Sequence, residues 1–499
     1  MVNSMSRFKF FCLIFLSAIG QLSAQTLFFN NGANIHIQNG GLVAVKTASA
    51  ENVSGVIHNA GTMIVEGDLI NNNELNGAGV STGLYRVQGN WENNNQFNAD
   101  QSTVELYGGN QLITGLASTT FYNLNLQGGN SVKTQTINAQ TRGQLLLNDA
   151  ELATGQFEML VTNPSISAIQ RNNGFVSSEG VGKLSRTTNI ASTYFYPIGT
   201  PSSLGISLYR PVVFVPSGAS VNTYGACVVG GNASVEGYNV TALDDILCQV
   251  NPSFWHKLYH DQGNLAADLR MYYDPITDGE WSQIGHWKTN NQWNYTVPAT
   301  TGANGPFKIL QIDNYADFSP EPFALANARL FVDAGPDLDV SQGETVQITA
   351  SVVGGVPSAI SWTPTDYLDC TDCAQVNATP ADEITYYVEV TGVPGCTTID
   401  SVKITVSGKE LIMPTAFSPN GDGKNDVFRT LSKNLKVFNL KVWNRWGEKV
   451  FETDNPAVGW NGVFRGAEQE VGTYVWNCTY QFSGDSDEQL GKGDVTLLR

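Results

Sequence analysis

The sequence predicts an all-β, multidomain protein, with β-solenoid-like repeats at the front followed by β-sandwich domains. Three observations carry that prediction. Short runs alternate apolar and polar residues, the period of a half-buried strand. Turn formers separate these runs, with 50 glycines and dense asparagine clusters in 499 residues but only 14% charged residues. A block of twelve residues also recurs 22 positions later, and such a period belongs to stacked repeats.

Residues 1–24 have the three regions of a signal peptide in order. Arg7 and Lys9 come first, an apolar run from Phe10 to Gly20 follows, and Leu22-Ser23-Ala24 supplies a small-residue cleavage site. The run is too short to span a bilayer. No later stretch approaches its length, so no transmembrane segment is expected. Cys12 sits inside the run rather than after the cleavage site, which speaks against a lipoprotein. Losing Arg7 and Lys9 takes the net charge from −18 to −20. So acidic a chain suits a solvated surface and matches phosphate backbones poorly, so no nucleic-acid partner is expected. The 475 residues that remain after removing 24 from 499 suggest three or four domains.

Residues 25–162 hold the repeat. Val65-Glu-Gly-Asp-Leu-Ile-Asn-Asn-Asn-Glu-Leu-Asn76 aligns with Val87-Gln-Gly-Asn-Trp-Glu-Asn-Asn-Asn-Gln-Phe-Asn98, six of twelve positions being identical. Val104-Glu-Leu106, Leu124-Asn-Leu126 and Leu145-Leu-Leu147 echo it. Short strands at this spacing predict a β-solenoid in which each coil covers the next. Stacked asparagines would then form side-chain ladders. An antiparallel meander with asparagine-rich turns is the plainer alternative.

From residue 163 to 326 asparagine thins and aromatics rise. Tyr194-Phe-Tyr196, Tyr209-Arg-Pro-Val-Val-Phe214, Leu269-Arg-Met-Tyr-Tyr273 and Trp281-Ser-Gln-Ile-Gly-His-Trp287 read as strands of a sandwich. A linker at Leu325–Asn327 leads into residues 327–408. There Asp333-Ala-Gly-Pro336, Ser361-Trp362-Thr-Pro364, Thr385-Tyr-Tyr-Val388 and Val402-Lys-Ile-Thr-Val406 lie on alternating strands around a buried-looking Trp362. This segment resembles an immunoglobulin-like or PKD-like module, a fold that serves as spacer or adhesive unit without deciding between them.

Residues 411–499 are the most informative. Val437 to Trp443 and Tyr474 to Tyr480 alternate as strands, and Gly447, Gly462, Gly466 and Gly472 mark turns, so seven strands in under a hundred residues predict a small sandwich. The segment opens Pro414-Thr-Ala-Phe-Ser-Pro-Asn-Gly-Asp-Gly-Lys-Asn-Asp426. It continues through Val442-Trp-Asn-Arg-Trp-Gly-Glu448 and Trp460-Asn-Gly462, and ends Gly493-Asp-Val-Thr-Leu-Leu-Arg499. In this order the motifs resemble the gliding-motility-associated C-terminal domain of the Bacteroidota, the type B sorting domain of the type 9 secretion system. The resemblance implies export across the outer membrane, with the secretion machinery there as partner. It also implies an extracellular or cell-surface location. By the same resemblance the signal involves Pro419, Asn420, Gly421, Asp422, Gly423, Asn425 and Asp426. It further involves Arg445, Trp446, Gly447, Trp460, Gly462, Val495, Leu497 and Arg499.

The loop from Asn420 to Asp426 has two readings. Asn420, Asp422 and Asp426 could offer oxygens to calcium, a hard cation, but not as an EF-hand, because Leu431 stands where the bidentate glutamate belongs. Alternatively these side chains bond the nearby backbone and the loop is a tight turn. Calcium is the one cofactor the sequence raises. Six cysteines survive cleavage, an even number that permits disulfides in an exported chain. Cys227 and Cys248 are a plausible pair, while Cys370, Cys373 and Cys396 compete for one bridge. Zinc at Cys370 and Cys373 is disfavoured, with no second CxxC and no histidine beyond Trp287 in the chain.

No catalytic constellation persuades. His256 and His260 are four apart, with His286 a third, yet Lys257 stands where a metalloprotease helix needs its glutamate. Asp244, Asp245, Asp274, Asp278 and Glu280 could pair across a cleft for glycoside hydrolysis, though acidic residues beside Gly and Pro are usually turns. Trp255, Trp281, Trp287 and Trp293 could stack on sugars, but core packing is the better reading. There is neither a GxSxG elbow nor a P-loop. The expectation is therefore a non-enzymatic surface protein, adhesive toward a glycan or other surface ligand or purely structural, with a link to gliding open. The rival is a polysaccharide hydrolase or lyase built on the solenoid, for which Glu66, Asp68, Glu74 and Glu92 are the scattered acids available.

Overall fold

The computed structural model describes residues 26–77, 82–205, 208–296, 300–392, 396–482 and 485–499. The expected signal peptide lies outside them. Strands make up 53% of the described residues and helix 3%. Contacts divide the chain into one unit ending at Ala326 and another beginning at Asn327.

The first unit begins as a three-sided parallel solenoid of about eight turns. Each coil contributes a short strand to each side. One side stacks Ser49–Asn59, Leu69–Asn71, Trp91–Asn93, Gln111–Thr114, Val132–Gln135, Glu151–Ala153, Phe175–Ser177 and Ile198–Gly199. A second runs from Leu42–Val45 through Thr62–Val65, Leu84–Val87, Thr103–Leu106, Asn123–Leu126 and Leu145–Asn148 to Ile169–Arg171. The third includes Thr119–Phe121, Ala139–Thr141, Glu158–Val161 and Lys183–Thr188. Register explains the repeat. Val65 pairs with Val87, Val87 with Leu106 and Leu106 with Leu126, so one buried apolar column fills the interior. Trp91 packs there against Phe97 at 5.0 Å and Phe121 at 5.6 Å between ring centres.

Asparagine supplies the interior hydrogen bonds. Asn30, Asn52, Asn71 and Asn93 are buried in a column. Each of the first three donates its amide to the next oxygen, at 2.8, 3.1 and 2.8 Å. Asn52 and Asn71 also donate to the Glu74 and Gln96 carbonyls, at 2.9 Å each. Burying an amide is costly unless it is paired, and stacking identical coils pairs it. Corners use the same chemistry one coil apart. Asp68 accepts from the Asn90 amide, Asn90 from Leu112, and Asn110 from Val132. The coils are close enough that a Cβ at Gly108 would run into the Gln88 carbonyl oxygen.

The solenoid does not stop at 162. Parallel stacking continues through Ile169–Arg171 and Phe175–Ser177 to Ile198–Gly199. Lys183–Thr188 then pairs in parallel with Glu158–Val161 on one side and antiparallel with Asn222–Gly230 on the other. The solenoid sheet thus becomes one sheet of a sandwich. The other sheet holds Tyr194–Tyr196, Val212–Pro216, Ala267–Tyr273, Phe307–Tyr315 and Thr300–Asn304. Phe214 on that sheet stacks on Tyr224 of the first at 5.0 Å, and one hydrophobic core runs from Ile37 to Leu325. The compositional change near 162 is a thinning of asparagine, although Asn172 and Asn173 still bond Asp149 one coil back. The inward apolar residues that carry the stacking persist.

The second unit contains two β modules. In the first, Leu338–Ser341, Thr397–Ser407, Ile384–Thr391 and Ala359–Thr363 form a four-stranded sheet. Its core surrounds buried Trp362, Tyr386 and Val388. In the second, the sheet order is Ala416–Phe417, Gln489–Leu497, Gly472–Phe482, Leu435–Trp443 and Lys449–Thr453, beside a hairpin of Val463–Phe464 and Ala467–Glu468. These are seven strands, as the turn spacing predicts, but split five and two. No described helix is long and apolar enough to cross a membrane.

Candidate functional site

The C-terminal module gathers its motifs at one end, and strand register is the cause. Trp443 pairs with Val475, Gly472 with Leu497, and Phe417 with Leu497. The segment after Phe417, the turn after Trp443 and the residues after Leu497 therefore all leave the sheet from the same end. The 460s join them, because Phe428 and Trp460 exchange backbone hydrogen bonds at 2.8 and 2.9 Å.

Half of this end is packing. Trp460, Val495 and Leu497 are buried. The Trp460 ring lies 5.4 Å from Phe417 and 4.7 Å from Tyr474, and its indole N–H donates to the Val463 carbonyl at 3.0 Å. Gly462 adopts φ +76, and a Cβ there would meet Leu497 Cδ1 at 3.2 Å and Pro419 Cγ at 3.3 Å. Pro419, Gly462 and Leu497 are thus brought together, and the positive φ and tight space both favour glycine at 462.

The other half is exposed. In the turn after Trp443, Asn444 Oδ1 accepts from the Trp446 and Glu448 amides, at 3.0 Å each. The Gly447 amide donates to the Asn444 carbonyl at 3.0 Å, with Gly447 at φ +77. Trp446 stands at this tip, 84% exposed. Arg445 approaches Glu470 at 3.7 Å, Arg465 approaches Glu448 at 3.6 Å, and Arg499 pairs with Glu468 at 2.6 Å. Arg465, Glu468 and Glu470 were not legible as members of this end. Arg465 alone carries a local mark, a positive φ of 49 in the hairpin turn, and sequence does not display it.

Residues 411–497 match the CHU_C type IX secretion signal domain. No curated protein matches the chain. Among solved structures, immunoglobulin domains 1 and 2 of DIP-gamma align over 34% of this chain and 96% of theirs, at 11% identity and a TM-score of 0.16. Immunoglobulin domains 1 to 5 of Sidekick-1 align over 64% of this chain and 81% of theirs, at 10% identity and a TM-score of 0.19. At these scores neither likeness carries an argument about fold or function.

Within the signal domain, the loop raised as a calcium site bonds to itself. Asp426 accepts from the Gly421 and Gly423 amides, at 2.7 and 2.8 Å, with one carboxylate oxygen each. Asp422 Oδ1 accepts from Lys424 at 2.8 Å, and Asn420 Oδ1 from Asp422 at 3.0 Å. Gly421, Gly423 and Asn425 take φ of +79, +81 and +53. This is Asx-turn geometry, in which side-chain oxygens replace backbone acceptors.

The other sequence candidates disperse outside the signal domain. Cys227 is a free, buried thiol, so the bridge expected with Cys248 does not form. It lies inside a strand pairing with Lys257, and burial pushes its pKa up to about 11. Cys370 bonds Cys373, with Cys396 outside that pair. Trp255, Trp281, Trp287 and Trp293 are buried, which is the core-packing outcome. The Asp278 carboxylate is buried in a two-pronged ion pair with Arg210, at 2.5 and 2.6 Å. Glu280 pairs with Lys308 at 2.6 Å. Asp244 accepts from the amides of Ile246, Leu247 and Tyr295. On the solenoid, Glu66 and Asp68 accept backbone amides, and Glu74 and Glu92 accept asparagine amides.

The histidines also separate. His256 Nε2 meets the Arg210 carbonyl at 3.1 Å, and burial lowers its pKa to about 4. His260 meets Asn222 Oδ1 at 2.9 Å. His286 Nε2 lies 3.2 Å from Ser319 Oγ. Its Nδ1 lies 2.8 Å from Lys288 Nζ. An ammonium only donates, so Nδ1 is the acceptor and Nε2 carries the proton. Burial, then Lys288, lower its pKa to about 3. On that tautomer Ser319 faces a donor rather than a base.

Proposed function

We propose that this chain is a cargo of the type IX system, displayed outside the cell as a non-enzymatic adhesive protein. The observation that carries the export half is the signal-domain match over residues 411–497. The adhesive half is supported by a partly buried polar stripe on the solenoid. There Arg86 pairs with Glu105 at 2.6 Å, and Glu105 also accepts from Asn125 at 3.1 Å and Gln127 at 3.2 Å. Asn148 donates to Asn125 at 2.8 Å, and Arg86 lies over the Tyr107 ring at 4.9 Å. Paired donors and acceptors beside an aromatic face suit the hydroxyls and apolar faces of a polysaccharide. A preformed array adds little ordering cost on binding.

Two experiments separate the halves. Deleting residues 411–499 should leave the protein in the periplasm, and surface display of the truncated chain would end the export reading. The mature full chain should bind one glycan class saturably on an array, with binding weakened by Tyr107→Ala. A folded chain silent on the array would leave an exported protein without the adhesive role.

A further inference from the structure

The signal domain treats its motif aromatics in two ways. Phe417, Trp460 and Tyr474 are buried in its core. Trp446 is 84% exposed, which leaves an indole in water at the tip of a turn. The turn is built to hold it. The two amide bonds to Asn444 Oδ1 fix the backbone on both sides of Trp446, so the backbone needs little further ordering on binding. Tryptophan and arginine are enriched among the residues that anchor protein interfaces.

The surroundings state what the partner must offer. Val475 lies opposite Trp443 at the base of the turn and is 56% exposed. Arg445 reaches to within 3.4 Å of where a Cβ on Gly472 would stand. The Arg445 and Arg465 side chains are 59% and 78% exposed, and their carboxylate neighbours stand off at 3.7 and 3.6 Å. Those separations exceed an ordinary charged hydrogen bond, so both guanidiniums keep donors to give.

We infer that the turn from Asn444 to Glu448 is the recognition element of the signal domain, docking Trp446 into an apolar pocket of a folded protein with carboxylates at its mouth. Arg445 and Arg465 engage those carboxylates. Trp460, Gly462, Val495 and Leu497 then act only by holding the domain together. The inference rests on the export reading above.

The test expresses the full chain in a bacterium with a working type IX system and measures surface and periplasmic fractions. Trp446→Ala should reduce export at least about tenfold, the loss expected for an interface anchor. The thermal midpoint of the purified variant should match the parent. Trp446→Phe should recover much of the export, and Arg445→Glu with Arg465→Glu should lower it again. Normal export of Trp446→Ala, while deletion of residues 411–499 still blocks it, would overturn the inference and leave the export reading standing. Normal export of the deletion would remove the export reading itself. Binding of the parent to outer-membrane lipid vesicles, lost in Trp446→Ala with export unchanged, would assign the turn to a membrane surface and likewise overturn the protein pocket.

Discussion

Asparagine does opposite jobs in the solenoid and in the signal domain. In the solenoid, Asn52 and Asn71 bond across coils, to partners 19 and 22 residues away. In the signal domain, Asn420 and Asn444 bond within their own turns, two to four residues away. The first use requires a repeated backbone beneath each side chain. The second requires only the local chain. One residue type is therefore a long-range strut in one region and a short-range turn former in the other, and substitutions should show the difference.

Glycine offers the sharpest break. Gly108→Ala forces a Cβ against the Gln88 carbonyl of the coil below. Overpacking between fixed backbones should destabilise the first unit by about 4 kcal/mol or prevent folding. Gly421→Ala meets nothing within 4 Å and changes only a residue at φ +79, so about 1 to 2 kcal/mol is expected. Denaturant unfolding of each variant measures both, and equal costs would dissolve the contrast between stacked and local geometry.

Acid sharpens the comparison next. All five histidines, at positions 36, 58, 256, 260 and 286, lie in the first unit. His256 falls from an ordinary 6.5 to about 4 because burial disfavours the cation. Between those values the unfolded chain binds the proton and the folded chain does not. The stabilisation is therefore complete above 6.5 and is lost as pH falls toward 4, by roughly 3 kcal/mol. His286 adds loss in the same direction and extends it to about 3. Hydrogen exchange resolved by segment should show the first unit loosening across this window before the second. His256→Gln should flatten part of the slope.

Smaller effects follow from the asparagines themselves. Asn71→Ala leaves Asn93 Oδ1 and the Gln96 carbonyl without their donor in a buried column, for about 2 to 3 kcal/mol. Asn444→Ala releases two amides to water at an exposed turn, for about 1 kcal/mol. Chemical denaturation decides whether the ranking holds. The smallest expected effect is that of calcium on the signal domain. With Asp426 already serving two loop amides, millimolar calcium should not move its midpoint. A specific site filled at a hundred times its dissociation constant would add about 2.7 kcal/mol, and such a rise would establish the metal reading of the loop.

Much of this was readable in the residues. The 22-residue recurrence from Val65 to Asn98 is the register of the coils, so solenoid and ladder were both visible as a period. The signal motifs were visible as a string, because short turns impose residue types locally. Trp362 was readable as core. The pairing of cysteines was not, since Cys227 and Cys248 are close in sequence while Cys227 is committed to a strand interior. Nor was the extent of the solenoid, because asparagine thins along the coils while the stacking itself depends on inward apolar residues such as Leu145, Val161 and Val176, which resemble those of any strand.

Periodicity and turn chemistry are properties of neighbouring residues, and they sufficed to specify strands, repeats and the set of residues in the signal. Proximity between distant segments depends on register, and only the folded sheets decided that Pro419, Gly462 and Leu497 would touch. The same register sent the turn carrying Trp446 out from the end where Trp460 turns in. Two tryptophans in one motif set end in opposite surroundings. One faces a core that other strands complete, and the other faces water.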